Sequence, residues 1–443
     1  MSNPLMEKML GLPEFEVTDF KQNEYDMGFY VETKEKPTIC QACGCYEPEL
    51  KVAKTRTQTI RDLNNQGKRV ALMLKRRYYR CEECGQIFAE PLKSVDGKGR
   101  ITNRLRKEIG QKAIANSFVD IENEYAISDT TVRSAFLDAI QSIPSLSAQE
   151  TPSVLGIDEI CLLRNEYKRV QPWAVIGNGD RNTVMEILRD RSKPSIVSAL
   201  NSLKQPQNVE VVTMDMWAGY RTAAQEILPH AMVVIDKFHV ERLANDALDT
   251  VRRSVTKTGP YTLKQNRGVF LAREENLSER AIAIRDEWCD KYPLLGQAYS
   301  LKEAFFHMYD CRSRSEAEYY YRYWKDSIPK ELPGFKSICR TVERSYNEIF
   351  NFFDAPYTNA FVEGMNRVIR GVSLSGCSYD FEVLRGKILL GAGRKKVAPK
   401  TNFDGIAFFM PTLNKYKDYG VPFEAILAKI NDGLLSSKQA KQP

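Results

Sequence analysis

The sequence has no apolar run approaching the roughly 20 residues that a membrane-spanning helix requires. Its first ten residues, MSNPLMEKML, lack both the basic segment and the long apolar segment of a secretory signal. No internal repeat is visible along its 443 residues. These absences argue against a membrane-spanning or secreted protein, and they predict a cytoplasmic protein without membrane contact.

The composition is that of a soluble globular protein, with 43% hydrophobic and 27% charged residues. A chain of 443 residues is too long for one ordinary hydrophobic core. Its length predicts about two to four domains.

Charge is unevenly distributed, although the net charge of the whole chain is only +7. Residues 1–50 carry 4 Lys/Arg against 10 Asp/Glu, whereas residues 51–112 carry 17 Lys/Arg against 6 Asp/Glu. The second block suits contact with a phosphate backbone, and its densest run supplies Lys75, Arg76, Arg77 and Arg80. A solvated surface segment is the alternative, because charge blocks often serve solubility alone.

Five of the ten cysteines cluster within residues 40–84, in a chain whose thiols should be mostly reduced. Four of them form two C-x-x-C pairs with 37 residues between the pairs: Cys40 with Cys43, and Cys81 with Cys84. Each pair can present two thiolates to one tetrahedral ion, and the Asn/Gly-rich stretch 64–67 predicts a hairpin between them. The pattern predicts a zinc ribbon, with Cys45 as a rival of Cys43. Free thiols or a redox-active pair are the alternatives.

Residues 103–143 have a helical pattern, and their second half indicates two short helices. Phe118 to Tyr125 has the length of a first helix, and Ser128 is a suitable N-cap for a second. The second helix carries short polar and basic side chains near its start, where a recognition helix contacts bases: Thr130, Thr131 and Arg133. A helix-turn-helix is therefore predicted, and an ordinary helical hairpin is the alternative.

An α/β pattern follows a linker near residue 150. Five strands are predicted, with a helix before each of the last two: 153–157, 173–176, 183–188, 209–214 and 231–235. Three strands in a row, then helix, strand, helix and strand, is the order of a ribonuclease-H-like mixed sheet. Residues 240–355 have a mainly helical pattern without a clear strand.

Three of these strands are followed by an aspartate: Asp158, Asp215 and Asp236. Because strand ends converge in a sheet, two such carboxylates can share metal ions about 3.5–4 Å apart. Phosphodiester cleavage uses this arrangement, since one ion activates the attacking water or 3′-hydroxyl and the other stabilises the leaving oxygen.

A further carboxylate is indicated by the amphipathic helix predicted at 358–371. One face of this helix is polar: Asn359, Glu363, Asn366 and Arg370. The other face is apolar: Phe361, Met365, Val368 and Ile369. Glu363 therefore has Asn and Arg neighbours, and this combination suits binding of a metal ion and a phosphate. Arg367 and Arg370 of this helix are predicted to contact DNA. A solvated helix face is the alternative.

The order of these motifs resembles that of the DDE transposases of the bacterial ISL-three group of insertion sequences. The segments that carry the resemblance are the cysteine ribbon, the helix-turn-helix, LGIDE, TMDMWAGY, VIDKFHV and NAFVEGMNRVIR. The resemblance covers nearly the whole chain. It implies a ribonuclease-H-like catalytic domain with Asp158, Asp215 and Glu363 as its acidic residues, and a mainly helical insertion before the Glu363 helix.

Asp236 and His239 match the D-x-x-H pattern of related Mutator-like and hAT-like enzymes, so Asp236 is the rival of Asp215 as second metal-binding aspartate. Asp215 is preferred because it follows the fourth strand, which pairs with the first in this fold. His239, one of three histidines, and Asn366 are predicted to support catalysis. A structural role is the alternative for His239.

Taken together, the motifs and the resemblance predict a multidomain α+β protein. Its predicted parts are an N-terminal hairpin and zinc ribbon (1–95), a helix-turn-helix (96–150), a first part of the catalytic core (151–240), a helical insertion (241–355), and a second part of the core with a C-terminal tail (356–443). The predicted ions are two Mg²⁺ or Mn²⁺ and one structural Zn²⁺. The predicted partners are double-stranded DNA, at element ends and target, and at least a second copy of the chain, because two ends must be held together.

The function implied is that of a transposase that binds terminal inverted repeats, cuts DNA and transfers strands. A DNA-binding regulator without cleavage activity is the alternative from another class, although it leaves the three acids without a purpose. A nuclease without joining activity is compatible with the same residues.

Overall fold

The structure is a computed structural model that describes residues 4–164, 170–256, 261–376 and 379–393. Ten strands are present in these residues: β1 Phe15–Gln22, β2 Asp26–Thr33, β3 Leu50–Asn65, β4 Lys68–Cys81, β5 Ile87–Ala89, β6 Val154–Arg164, β7 Val170–Asn178, β8 Thr183–Leu188, β9 Val211–Met214 and β10 Met232–Ile235.

Sixteen α-helices accompany the strands in the described ranges: α1 Pro4–Leu10, α2 Asn103–Ala115, α3 Phe118–Tyr125, α4 Asp129–Ile140, α5 Lys193–Asn201, α6 Ala218–Ile227, α7 Lys237–Thr256, α8 Tyr261–Gln265, α9 Arg267–Leu271, α10 Glu279–Lys291, α11 Pro293–His307, α12 Arg314–Asp326, α13 Pro333–Arg344, α14 Tyr346–Phe350, α15 Ala360–Ser375 and α16 Phe381–Lys387.

Strands β1–β5 form one sheet in the order β1-β2-β4-β3, with β5 paired to β4. β1 and β2 form the predicted N-terminal hairpin, and β3 and β4 form the long hairpin predicted between the cysteine pairs. At the turn of the long hairpin, Gln66 and Gly67 have φ angles of 49° and 75°. Two-residue turns with positive φ match the twist of the flanking strands, which explains the Asn/Gly-rich sequence there.

Helices α2, α3 and α4 follow this sheet. α3 has the bounds predicted for the first helix of the hairpin, and Ser128 occupies the N-cap position of α4. The Ser128 hydroxyl lies 2.9 Å from the hydroxyl of Thr131 and makes no hydrogen bond to a backbone N–H of the helix. Ala126 ends α3 in the left-handed region, at a φ of 50°, and this makes the tight turn into α4.

Strands β6–β10 form a second sheet in the order β10-β9-β6-β7-β8. β10, β9 and β6 are parallel, whereas β7 and β8 run antiparallel to their neighbours. All five strands predicted in this stretch are present, but the first was predicted to end at residue 157, whereas β6 continues along β7 to Arg164 and contains Asp158. One face of the sheet packs on α5 and α6 around Leu155, Ile157 and Val212. The opposite face packs on α15 and α16.

Side chains of α2, α3 and α4 also belong to the apolar core on that opposite face. These helices and the second sheet therefore share one core. Lys387 of α16 is buried in this core, and its ammonium donates to the main-chain carbonyls of Ala113 and Asn116 at the end of α2. The rings of Phe118, Phe136 and Tyr379 surround it. Burial lowers the pKa of Lys387 to about 8.

Helices α7–α14 pack around a separate core that follows β10. Its largest buried side chain is that of Trp324, whose indole N–H donates to the carbonyl of Leu301 at 2.9 Å. Between residues 237 and 353, the described part of the chain contains no strand, which confirms the prediction of a mainly helical segment. None of the described helices has the length and apolar character needed to span a bilayer. Residues beyond 393, which include the predicted C-terminal tail, lie outside the described residues.

Candidate active site and metal centres

Asp158 lies at the centre of a group of buried acids. It follows Ile157 in β6, where β9 ends its pairing with this strand, and it is 4% exposed. One carboxylate oxygen accepts the N–H of Glu159 and the other accepts the side-chain amide N–H of Asn366, each at 2.8 Å. The pKa of Asp158 is raised to about 7, mainly by burial and in part by nearby Asp215 and Glu363, while the Glu159 N–H and His239 act in the opposite direction.

Two glycines allow the Glu363 helix to approach this strand. Gly156 of β6 and Gly177 of β7 face each other across the sheet, and a Cβ atom on either would lie 2.6 Å from the ring of Phe361. Helix α15 therefore rests directly on the backbone of β6 and β7. Asn359, just before α15, fixes its start because its side-chain amide donates to the carbonyl of Ile157 at 3.1 Å.

Asp215 follows β9, the strand beside β6, and it is also buried. One of its oxygens accepts the N–H of Trp217 at 2.8 Å. Burial raises the pKa of Asp215, and Glu159 adds to this, whereas the Trp217 N–H, His239 and Arg191 lower it. The structure thus brings Asp158, Asp215 and Glu363 into one electrostatic cluster.

Asp236 lies between β10 and α7. Helix α7 begins at Lys237 and carries His239. Within the described residues, neither carboxylate oxygen of Asp236 has a hydrogen-bond partner, although the side chain is fully buried. Ligand atoms of Asp236, His239 and Glu363 lie within 4.8 Å of one another, close enough to hold one metal ion. Asp158, Asp215 and Glu363 do not form such a compact group among the described residues. A site for two ions does not require such a compact group, because carboxylates on its two sides bind different ions.

Asp158 and Glu363 line a cavity of about 350 Å³. Three arginines also line it: Arg242, Arg367 and Arg370. Arg242 was not predicted from the sequence, but it follows His239 by three residues on α7, and this helical spacing places both on one face. Positive side chains beside buried acids suit a ligand that is itself negatively charged, such as a phosphodiester.

Arg191 connects the two strands that carry the aspartates. Its guanidinium pairs with the carboxylate of Glu159, the residue after Asp158. The same guanidinium lies 3.9 Å from the ring centroid of Trp217. The main-chain N–H of Trp217 donates to the carboxylate of Asp215. Sequence analysis missed Arg191 because its segment, between β8 and α5, carries no recognisable motif.

The four cysteines of the two C-x-x-C pairs lie together at one end of the first sheet. Their Sγ atoms all lie within 4.8 Å of one another: Cys40, Cys43, Cys81 and Cys84. Gly44 and Gly85 each have a positive φ, near 70°, which makes the tight turn after each pair. The fifth thiol, Cys45, lies 3.2 Å from that of Cys43, so the rival anticipated from the sequence is also at this centre.

The side chains predicted to contact DNA differ in their surroundings. On β4, Lys75 pairs with Glu32, and both Arg76 and Arg77 bond to groups of the first sheet, whereas Arg80 is exposed. On α4, Thr130 is exposed, Thr131 is half-buried and Arg133 pairs with Asp380, the N-cap of α16. Arg367 and Arg370 lie at the cavity described above.

Comparisons with known proteins give a consistent result. Residues 155–388, more than half of the chain, match the model of the ISL3 transposase family, described as a transposase. Residues 36–84 match a second model, the zinc-finger of the transposases of IS204, IS1001, IS1096 and IS1165. The chain is also 22% identical over 365 residues to the transposase for insertion sequence element IS1001 of Bordetella parapertussis, covering 80% of this chain and 88% of that protein.

Proposed function

The chain belongs to the ISL3 family of transposases, and from that premise we propose that it binds the terminal inverted repeats of an insertion sequence, cuts DNA there and transfers the strands to a target. The observation that carries this proposal is that Asp158 and Glu363 line one cavity together with three arginines, with the charge of Asp215 acting on Asp158. Buried like charges destabilise one another unless cations or protons neutralise them. The site therefore suits divalent metal ions.

The sheet supports a ribonuclease-H-like catalytic core. Its parallel strands β10, β9 and β6 continue into the antiparallel β7 and β8. Asp158 lies in β6 where the pairing with β9 ends, and Asp215 follows β9. In the proposed division of the chain, residues 151–240 are the first part of the catalytic core and residues 241–355 are the helical insertion. Residues 356–443 are proposed as the second part of the core with a C-terminal tail, of which residues beyond 393 lie outside the described residues. Residues 1–95 form the ribbon domain, and residues 96–150 are a helix-turn-helix.

Asp158, Asp215 and Glu363 are the proposed ligands of two Mg²⁺ or Mn²⁺ ions. The buried oxygens of Asp236, which have no hydrogen-bond partner in the described residues, make Asp236 the rival ligand, with His239 beside it. When bound, such ions activate the attacking oxygen and stabilise the leaving oxygen.

The side chains around these acids have separate proposed roles. Asn366 holds the Asp158 carboxylate in place through its amide N–H. Arg242, Arg367 and Arg370 bind the phosphates on either side of the reacting one. His239, which lines the same cavity, is placed to contact the reacting phosphate.

The four-cysteine group is proposed to hold one structural Zn²⁺, in keeping with the zinc-finger match. Because contacts within the first sheet already occupy Arg76 and Arg77, these side chains position the ribbon. Arg80 and the start of α4, with Thr130 and Thr131, are proposed to contact DNA. At least two copies of the chain are expected on DNA, because two element ends must be joined.

The test is cleavage of DNA that flanks the protein's own gene, in Mg²⁺ or Mn²⁺. We expect the wild type to cut at defined ends, Glu363→Gln to bind the same DNA without cutting, and the control Glu382→Gln, on the neighbouring helix α16, to cut normally. Cutting by Glu363→Gln at the wild-type rate would refute the assignment of Glu363. Binding without cutting by the wild type would instead indicate a DNA-binding regulator.

A further inference from the structure

The first half of β3 is unusually exposed for a strand within a five-stranded sheet. Residues 51–57 are all exposed, and Val52 is 51% exposed. In its first half, β3 pairs only with β4 among the described residues, so the other edge of this half is free, whereas Arg61 further along β3 bridges to Ile101. The paired stretch, Leu50–Thr57 against Lys75–Cys81, extends past the apolar core of the sheet as a narrow ribbon, with the short strand β5 on the far side of β4. This stretch is called the basic ribbon below.

The basic ribbon carries cations that nothing in the described residues neutralises. Lys54 and Arg56 are exposed, and neither lies within ion-pair distance of an acidic side chain in the described part of the chain. Both lie against the ring of Tyr78 on β4, at 4.8 Å and 5.8 Å from its centroid. Arg80, two residues further along β4, is likewise exposed and without an ion pair among the described residues.

This arrangement differs from the one that the sequence suggests. Charge density predicts a DNA contact at the run Lys75-Arg76-Arg77. In the structure, however, Lys75 pairs with Glu32 and Arg77 pairs with the buried Glu90. Lys54 and Arg56 alternate with threonines in an unremarkable segment, and they remain free. Tyr78 holds both cations on one face, which reduces the side-chain entropy that binding would otherwise remove.

The geometry points to the basic ribbon as a docking surface for double-stranded DNA, with Lys54, Arg56 and Arg80 contacting phosphates. This inference rests on the proposed function, which supplies DNA as the partner. Eight strand residues at about 3.3 Å each span roughly 26 Å, which is most of one turn of the duplex. Phosphate contacts of this kind position the protein on DNA without reading its sequence.

Charged residues on a free edge strand have a second known use, which is to prevent pairing with another copy of the chain. The two uses differ in what removal of the charge would do. Loss of a phosphate contact weakens DNA binding and its salt dependence, whereas loss of edge protection produces oligomers. The experiment below measures both quantities on the same proteins.

The experiment compares Lys54→Ala/Arg56→Ala with the control Lys8→Ala/Lys21→Ala, which removes the same charge from the opposite edge of the sheet. Lys8 lies on α1, which packs against β1, and Lys21 lies on β1 over the ring of Tyr30. Binding is measured without divalent cations, on a duplex that flanks the gene and on an unrelated duplex of equal length. Light scattering gives the mass of each free protein, and metal analysis gives its zinc content.

We expect the ribbon variant to bind both duplexes at least tenfold more weakly at physiological salt, with a salt-dependence slope smaller by about 2. The control should stay within twofold of the wild type, and all proteins should keep the same zinc content. Equal losses in both variants would overturn the inference in favour of unspecific charge. Unchanged binding with a larger mass would overturn it in favour of edge protection. Failure of the wild type to bind either duplex would contradict the proposed function itself.

Discussion

Asp158→Asn should make the protein more stable in the absence of divalent cations. The side chain is buried beside other acids, and the pKa of Asp158 moves from 3.8 to about 7. A tenfold change in proton affinity corresponds to about 1.4 kcal/mol, so the charged carboxylate should cost roughly 4 kcal/mol of folding free energy at pH 8. The amide of Asn is neutral at every pH and avoids this cost.

The substitution also removes one hydrogen-bond acceptor. Both oxygens of Asp158 accept hydrogen bonds, from the Glu159 N–H and the Asn366 amide. An Asn side chain has one oxygen, so one of these donors would face an NH₂ group, at a cost of about 1–2 kcal/mol. The net gain at pH 8 is therefore about 2–3 kcal/mol. At roughly 2 °C per kcal/mol in a chain of this size, Tm should rise by about 4–6 °C.

The sign of the pH dependence is the sharper part of the prediction. Between pH 4 and about 7 the folded wild type keeps a proton on Asp158 that the unfolded chain has released. Its stability therefore falls as pH rises through this window. At pH 5 the folded wild type holds a neutral acid, so the advantage of Asp158→Asn should nearly disappear.

Differential scanning calorimetry at pH 5 and pH 8 would measure both effects. Divalent cations are withheld without a chelator, so that the ribbon keeps its zinc, and the exposed Asp326→Asn serves as the control. Added Mn²⁺ should then stabilise the wild type at pH 8 and leave Asp158→Asn unchanged. A variant less stable than the wild type at pH 8, or a gain of equal size at both pH values, would refute the electrostatic reasoning.

Two further predictions concern the ribbon and the link between the aspartates. Cys81→Ser should lose most of its bound zinc by elemental analysis, whereas Cys45→Ser should keep one zinc per chain; zinc loss in both would make Cys45 a ligand. Arg191→Met should reduce DNA cleavage at least tenfold with DNA binding unchanged, because Glu159 and Trp217 lose their common contact. Arg191→Lys should recover part of the cleavage activity. Equal activity of the wild type and both variants would contradict the role of Arg191.

Local patterns in the sequence were sufficient to predict most elements. The Phe118–Tyr125 segment predicted the bounds of α3, and the turn residues predicted the β3–β4 hairpin. Asp158 and Asp215 could be predicted to lie near each other because the pairing of the neighbouring parallel strands β6 and β9 ends just before both of them. The helical spacing of Glu363 and Asn366 similarly predicted that both face one way.

Contacts between distant segments could not be predicted in the same way. The partners of Arg77 and Arg191 come from other strands, and no spacing rule identifies which charges a fold neutralises internally. Charge density therefore favoured the run at 75–77, although two of the three cations without an ion pair in the described ribbon, Lys54 and Arg56, lie on β3. The buried Asp236 oxygens, without partners in the described residues, are also a property of packing alone.

The apolar core that α2–α4 share with α15 and α16 bears on the fate of shortened copies of this gene. A product that stops before residue 360 would keep the ribbon and the three helices but lose Val362, Ile369 and Leu384, which bury Phe118 and Phe136 on the other side. The exposed surface would favour aggregation and proteolysis over folding. A shortened protein that competes with the full-length one would therefore have to retain α15 and α16, and with them the helix that carries Glu363.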